Sequence, residues 1–207
     1  MLPDEVLSSR YGVKRITPYP KAVAQTTYFD TRSQRDAVKL LPGEYFCTNA
    51  DPALVTVLGS CVAACIRDSV SGIGGMNHFM LAHNAKDNPA ATSMIYGDIA
   101  MDVLIEQILE AGGKLNNLEA KVFGGAHMLN SMIANDIGER NGKFAVDYLR
   151  RRSIPVLAQD VGGMLARKLY FFPFTGQALV RKLADLANNT IMKRDRDYST
   201  FVKPSLR

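Results

Sequence analysis

The sequence predicts an α/β fold of locally paired strands with helices set between them. Three observations predict it. The apolar runs Val62 to Ile66 and Met76 to Leu81 have strand length and flank a stretch with turn chemistry, Asp68-Ser69-Val70-Ser71-Gly72. From Asp98 to Ala111 the pattern changes, because Ile99, Met101, Val103, Leu104, Ile108 and Leu109 recur at helical spacing. Beyond that helix, Leu118 to Phe123, Ile154 to Asp160 and Leu169 to Phe174 again read as strands. Strands that pair locally with a few helices between them give an α+β or layered α/β domain.

Taken in order, residues 1–40 mix Pro3, Pro18 and Pro20 with Thr26, Thr27, Thr31 and Ser33 and lack sustained periodicity. That composition predicts an N-terminal extension, peripheral or partly disordered. The ordered block is expected to begin at Leu41-Pro42-Gly43-Glu44-Tyr45-Phe46 and to run over residues 41–187. Within it, Gly112-Gly113 stops the first helix, and a second helix is expected from about Gly138 to Arg152. Thr175-Gly176 then turns the chain into Ala178-Leu179-Val180. From Asn188 onward, residues 188–207 read as a polar tail.

Composition narrows the function classes. A chain of 207 residues that is 47% hydrophobic and 22% charged can bury a sizeable core. No run has the length of a membrane helix, and Met1 to Arg15 lacks the apolar block of a signal peptide, so a cytoplasmic protein without membrane insertion is expected. Three cysteines without metal-ligand spacing suit reduced thiols, and neither a redox pair nor a metal site is expected. The net charge of +5 gathers at Arg150-Arg151-Arg152 and at Lys193, Arg194 and Arg196. Such clusters are usually a solvated face, though they could help attract an acidic partner; aromatic residues are not interleaved with them, which argues against nucleic-acid binding. The pairs Gly74-Gly75, Gly124-Gly125 and Gly162-Gly163 do not form a strand, G-x-G-x-x-G turn and helix, so they are read as places where backbones approach closely.

One pair of residues carries candidate chemistry. Cys61 follows the small residues Gly59-Ser60, and a reversal near Ser69-Val70 would set His78 opposite it across a hairpin. The attacking form of cysteine is the thiolate, and an adjacent imidazole that accepts the proton supplies it at neutral pH. The amides of Gly59 and Ser60 could then serve as an oxyanion hole. Each residue also has a plainer reading, Cys61 as a small buried hydrophobe and His78 as a hydrogen-bonded core histidine. A slip of one residue in the turn would put His78 on the other face of the sheet.

Seven ordered motifs add a resemblance. Thr56-Val57-Leu58-Gly59-Ser60-Cys61-Val62-Ala63-Ala64-Cys65, Gly74-Gly75-Met76-Asn77-His78-Phe79-Met80-Leu81 and Tyr96-Gly97-Asp98-Ile99-Ala100-Met101 resemble the CheD family of chemoreceptor glutamine deamidases. So do Glu119 to Ala126, Ile137-Gly138-Glu139-Arg140-Asn141, Asp160-Val161-Gly162-Gly163 and the Thr175-Gly176 turn, so that the resemblance spans roughly residues 42–183. It implies a layered α/β sandwich of mixed, largely antiparallel strands, similar to deamidating toxins of the cytotoxic necrotizing factor type. It implies Cys61 as nucleophile, His78 as base and Thr56 as the residue that orients the histidine. The implied reaction is hydrolysis of glutamine side chains to glutamate on the cytoplasmic helices of methyl-accepting chemotaxis receptors, through a thioester and without a cofactor. A CheC phosphatase is an implied further partner. The other readings are a non-catalytic adaptor binding receptor and CheC, or resolution of a thioester by an amine or formation of one from a peptide bond, as in transglutaminases and cysteine peptidases. Two departures stand out: Ala82-His83 replaces the proline that often follows Met80-Leu81 in the family, and the segment before Leu41 is long.

Overall fold

The computed structural model describes residues 22–83, 93–127 and 132–183. Among the described residues, ten strands form two mixed sheets of five. The first contains β1 (Thr26–Asp30), β2 (Arg35–Lys39), β4 (Ala53–Leu58), β9 (Arg167–Phe172) and β10 (Gln177–Lys182), side by side in that order. The second contains β3 (Tyr45–Thr48), β6 (Gly74–Asn77), β5 (Val62–Asp68), β7 (Leu118–Gly124) and β8 (Val156–Val161), again in spatial order. Only the β2/β4 and β7/β8 pairs are parallel; the others are antiparallel. Two helices among the described residues, α1 (Gly97–Glu110) and α2 (Met132–Arg151), pack on the second sheet, α1 over β3, β5 and β6 and α2 over β5, β7 and β8. The fold is therefore the expected layered α/β arrangement.

Burial follows from this layering. Every residue of β5 except Arg67 is buried, as a strand covered on both faces requires. In β4 the two faces separate: Leu54 and Leu58 join the main core, whereas Ala53 and Val55 pack with Ala37 and Phe172 in a second cluster on the far side. Side chains alternate along a strand, so Thr56 points with Leu54 and Leu58 into the main core.

Most expected elements recur with shifted ends. The second helix starts earlier, at Met132, and β6 is shorter than Met76 to Leu81, with Phe79 and Leu81 in isolated bridges. The boundary near residue 41 does not match the sheet. Residues 26–39 are not a peripheral arm but two strands of the first sheet, with Ala37, Val38 and Leu40 buried. β2 lies parallel to β4, paired Ala37 to Ala53 and Lys39 to Val55. Local pattern misses this because β1 is an edge strand with four exposed residues, so it carries no apolar alternation. Residues 1–21 and the expected tail at 188–207, with Lys193, Arg194 and Arg196, lie outside the described residues.

Candidate active site

The turn after β5 decides where His78 goes. Asp68 organises it: Oδ1 accepts from the amides of Val70 and Ser71 at 2.8 and 2.9 Å, and Oδ2 from the amide of Lys114 at 2.8 Å. Burial alone would raise the Asp68 pKa, yet these donors hold it down from 3.8 to about 2. The hairpin pairs Cys65 with Met76 and Val62 with Phe79, so Cys61 lies diagonal to His78 and not opposite it. The expected register is off by two residues. A shift of two preserves the face, which is why the two side chains still share one side of the sheet.

Alternation then aims His78 across the layers. The Asn77 side chain faces the helices: its Nδ2 donates to the Ala100 carbonyl of α1 at 3.0 Å, and its Oδ1 accepts from the Ala64 amide at 2.9 Å. His78, the next residue, faces the first sheet, where its Nδ1 lies 2.8 Å from Thr56 Oγ1. Thr56 Oγ1 also donates to the Leu40 carbonyl at 2.9 Å. A carbonyl only accepts, and a threonine hydroxyl has one proton. With that proton on Leu40, the Thr56 oxygen accepts from Nδ1–H of His78, and Nε2 of the neutral ring carries the lone pair. His78 and Thr56 are 0% and 2% exposed, so solvent competes little with this arrangement.

The turn bearing Cys61 is held by three carbonyls in succession. Gly59 O accepts from the Ala126 amide at 2.8 Å, Ser60 O from Asn141 Nδ2 at 3.1 Å, and Cys61 O from the Gly125 amide at 2.8 Å. Asn141 Nδ2 also donates to the Met80 carbonyl at 2.7 Å, which joins the Cys61 turn to the strand of His78. The approach is close enough to demand glycine. A Cβ at Gly124, whose φ is 115°, would stand 2.2 Å from Cys61 O, and one at Gly138 would stand 2.7 Å from the carbonyls of Gly125 and Ala126. Asn141 has no assigned role in the sequence reading, although its motif is noted there. The available signal was a short amide side chain in mid-helix, where it is a poor helix former.

The other thiols differ from Cys61 in their surroundings more than in exposure, since all three are buried. Burial pushes the Cys47 thiol up to about 12 and the Cys65 thiol higher still. No cluster of three metal-ligating side chains occurs among the described residues. Of the remaining histidines, His83 stacks edge-on against Phe144, with ring centroids 4.7 Å apart, and His127 follows β7.

A family model described as CheD chemotactic sensory transduction matches residues 80–182. A probable chemoreceptor glutamine deamidase CheD of Thiobacillus denitrificans is 50% identical over 186 residues, covering 89% of this chain and 92% of its own. Its counterpart in Herminiimonas arsenicoxydans is 51% identical over 178 residues, covering 85% and 88%. The chain belongs to the CheD family. A further CheD relative, in Ralstonia nicotianae, is 47% identical over 208 residues and spans 99% of this chain and 89% of its own. The CheD family model begins at Met80, past Thr56, Cys61 and His78, so the parts played by these three are argued from their geometry.

Proposed function

We propose that this chain hydrolyses glutamine side chains of chemoreceptors to glutamate, with Cys61 as nucleophile, His78 as base and Thr56 as orienting residue. The observation that carries the reading is the Leu40–Thr56–His78 chain of hydrogen bonds, which leaves the basic lone pair on Nε2. A ring fixed in that tautomer can take the Cys61 proton, and Nδ1–H keeps its acceptor when the ring becomes cationic. Thr56 brings no negative charge, so it orients the ring without neutralising it.

In the first half-reaction Cys61 Sγ bonds to the side-chain carbonyl carbon of glutamine. His78 Nε2 gives its proton to the nitrogen, the C–N bond breaks and ammonia leaves a thioester. Water then gives a proton to Nε2 and adds to the thioester carbon. The C–S bond breaks, glutamate forms and the proton returns to Cys61. Every proton in the cycle is handled by Cys61, His78 and water.

For the oxyanion we propose the amides at Ser60 and Cys61. Their preceding carbonyls, those of Gly59 and Ser60, are tied to Ala126 and Asn141, and a trans peptide points its N–H away from its C=O. This refines the Gly59–Ser60 expectation, because Gly59 contributes its carbonyl and its small size.

The groove beside Asn141 is lined by His83, Arg140, Lys143, Phe144 and Arg151, with Asp147 its acidic member. That balance suits a helix rich in glutamate as well as glutamine, as modifiable receptor helices are expected to be. A CheC phosphatase is the second partner we propose, on the family resemblance alone, and the cytoplasm is the proposed site of action. No helix among the described residues is long and apolar enough to cross a membrane.

Mass spectrometry of a receptor cytoplasmic fragment incubated with the protein tests the reading. Glutamines should gain the roughly 1 Da of an amide-to-acid exchange with wild type and not with Cys61→Ala. Equal conversion by Cys61→Ala would overturn the nucleophile.

A further inference from the structure

Arg167 has no place in the mechanism above, yet it is one of the largest fully buried side chains of the chain, at 1% exposure. Its Nη1 donates to the Gly124 carbonyl at 2.5 Å and its Nη2 to the Gly162 carbonyl at 2.6 Å. The buried Nε has no hydrogen-bond partner among the described residues. A buried guanidinium with an idle donor is a poor choice for stability, since an apolar side chain would avoid both desolvation and the orphan N–H. The carbonyls it holds belong to two of the glycine pairs that the sequence shows and the catalytic assignment leaves unused.

From Gly124 a chain of peptide groups runs to the site. The peptide whose carbonyl accepts from Arg167 carries the Gly125 N–H, which donates to Cys61 O at 2.8 Å. The peptide of Cys61 O carries the Val62 N–H, which donates to Phe79 O at 3.0 Å, next to His78. All three bonds point the same way, so each polarises the next, with a full positive charge at the head. We infer that Arg167 is a positioning residue for Cys61, its guanidinium anchoring and polarising the peptide chain that fixes the nucleophile's backbone against the strand of the base.

The charges around it define the test. Asp160 of β8 lies 3.2 Å from Nη2, and Lys182 of β10 lies 3.7 Å from the same carboxylate. His127, Glu139, Lys143 and Asp147 line the groove at Gly162, and His78 is the ionisable group proposed to face Cys61. Arg167 is the buried charge of this set, its side chain 2% exposed against 30% for Asp160 and 58% for Lys182, so its field on the Cys61 turn is the least screened by solvent and favours the thiolate.

The inference rests on Cys61 being the nucleophile, so Cys61→Ala is assayed in parallel. The measurements, on the full chain, are kcat and KM for deamidation of a receptor fragment, the pH midpoint of Cys61 alkylation by iodoacetamide, and circular dichroism. Arg167→Met should raise the midpoint by about one unit, as loss of a nearby charge in a partly buried site would. It should lower kcat about tenfold or more while KM changes less than about twofold, because the lost contacts serve the transition state and not substrate binding. Arg167→Lys should restore the midpoint more fully than kcat, since an ammonium keeps the charge and loses the two-carbonyl fork. Should Arg167→Met fail to fold, Asp160→Asn decides: it leaves Arg167 less compensated and should lower the midpoint by about 0.3 unit or more. Wild-type midpoint and kcat in folded Arg167→Met, or, where that variant does not fold, in Asp160→Asn, overturn the inference while the nucleophile stands. Full activity in Cys61→Ala overturns both.

Discussion

At the scale of the residue, the decisive feature is a single proton. Thr56 Oγ1 can donate only once, and its donation to Leu40 sets the tautomer of His78. Thr56→Val keeps the shape and removes the hydroxyl, so it should lower kcat about 10–100-fold. His78→Gln, which removes the proposed base itself, should lose about a thousandfold or more. Wild-type kcat in Thr56→Val would mean that the ring does not depend on Thr56 for its orientation. The thiols give a second outcome at this scale. With Cys47 pushed up to about 12 by burial and Cys65 higher, iodoacetamide near neutral pH should label Cys61 first. Peptide mapping that finds Cys47 labelled faster would remove the case for an activated thiolate.

At the scale of the element, the β5–β6 hairpin carries His78 and Asp68 sets its turn. The folded chain holds the Asp68 pKa near 2 against an ordinary 3.8, so the folded state binds that proton less readily than the unfolded one. The stability this group contributes is present above about pH 4 and is lost as pH falls toward about 2. Asp68→Ala should therefore lower Tm at pH 7, by an amount consistent with loss of charge-assisted hydrogen bonds of about 1.5–3 kcal/mol each in the strongest case, and should flatten the acid limb between pH 4 and 2. An unchanged acid limb in thermal melts would show that another carboxylate governs it. Helix α2 supplies the second element-scale outcome. Asn141→Ala removes the donor shared by Ser60 O and Met80 O, so kcat should fall at least about tenfold with the far-ultraviolet spectrum kept. Retention of full activity would show that backbone contacts alone hold the Cys61 turn.

At the scale of the whole molecule, the site lies between two sheets, and the first sheet is incomplete without residues that sequence alone assigns to an extension. Removing residues 1–40 deletes β1 and β2, buried Val38 and Leu40, and the carbonyl that takes the Thr56 proton. That truncation should unfold the protein or leave it inactive, since loss of one large buried side chain alone typically costs about 2–5 kcal/mol. Removing residues 1–21 should leave Cys61 chemistry in place. Deamidation by the shorter chain lacking 1–40 would show that the first sheet can orient His78 without β2. The basic cluster also changes at this scale. Arg152 is engaged by Asp102 and lies over the Tyr148 ring, and Arg150 pairs with Asp147 at 3.4 Å. Of the three, Arg151 is the one that lines the groove, so Arg151→Gln with Lys143→Gln should raise KM for a receptor fragment, most strongly at low salt, with little change in kcat.

The sequence by itself determined the elements whose signals are local. The Asp98 to Ala111 periodicity is α1, and the Asp68 to Gly72 turn is the hairpin. It also placed Cys61 and His78 on one face, because a strand's two-residue period tolerates a register error of two. Tertiary structure decided what those residues touch. Leu40 meets Thr56 from 16 residues away, Thr56 meets His78 from 22, and Asn141 reaches Ser60 from 81. Which strands become neighbours across two sheets depends on the burial of the whole core, and no short window of sequence records it. The same reason hid β1 and β2: β2 gains its strand state from pairing with β4, and the exposed edge strand β1 from pairing with β2, not from their own composition.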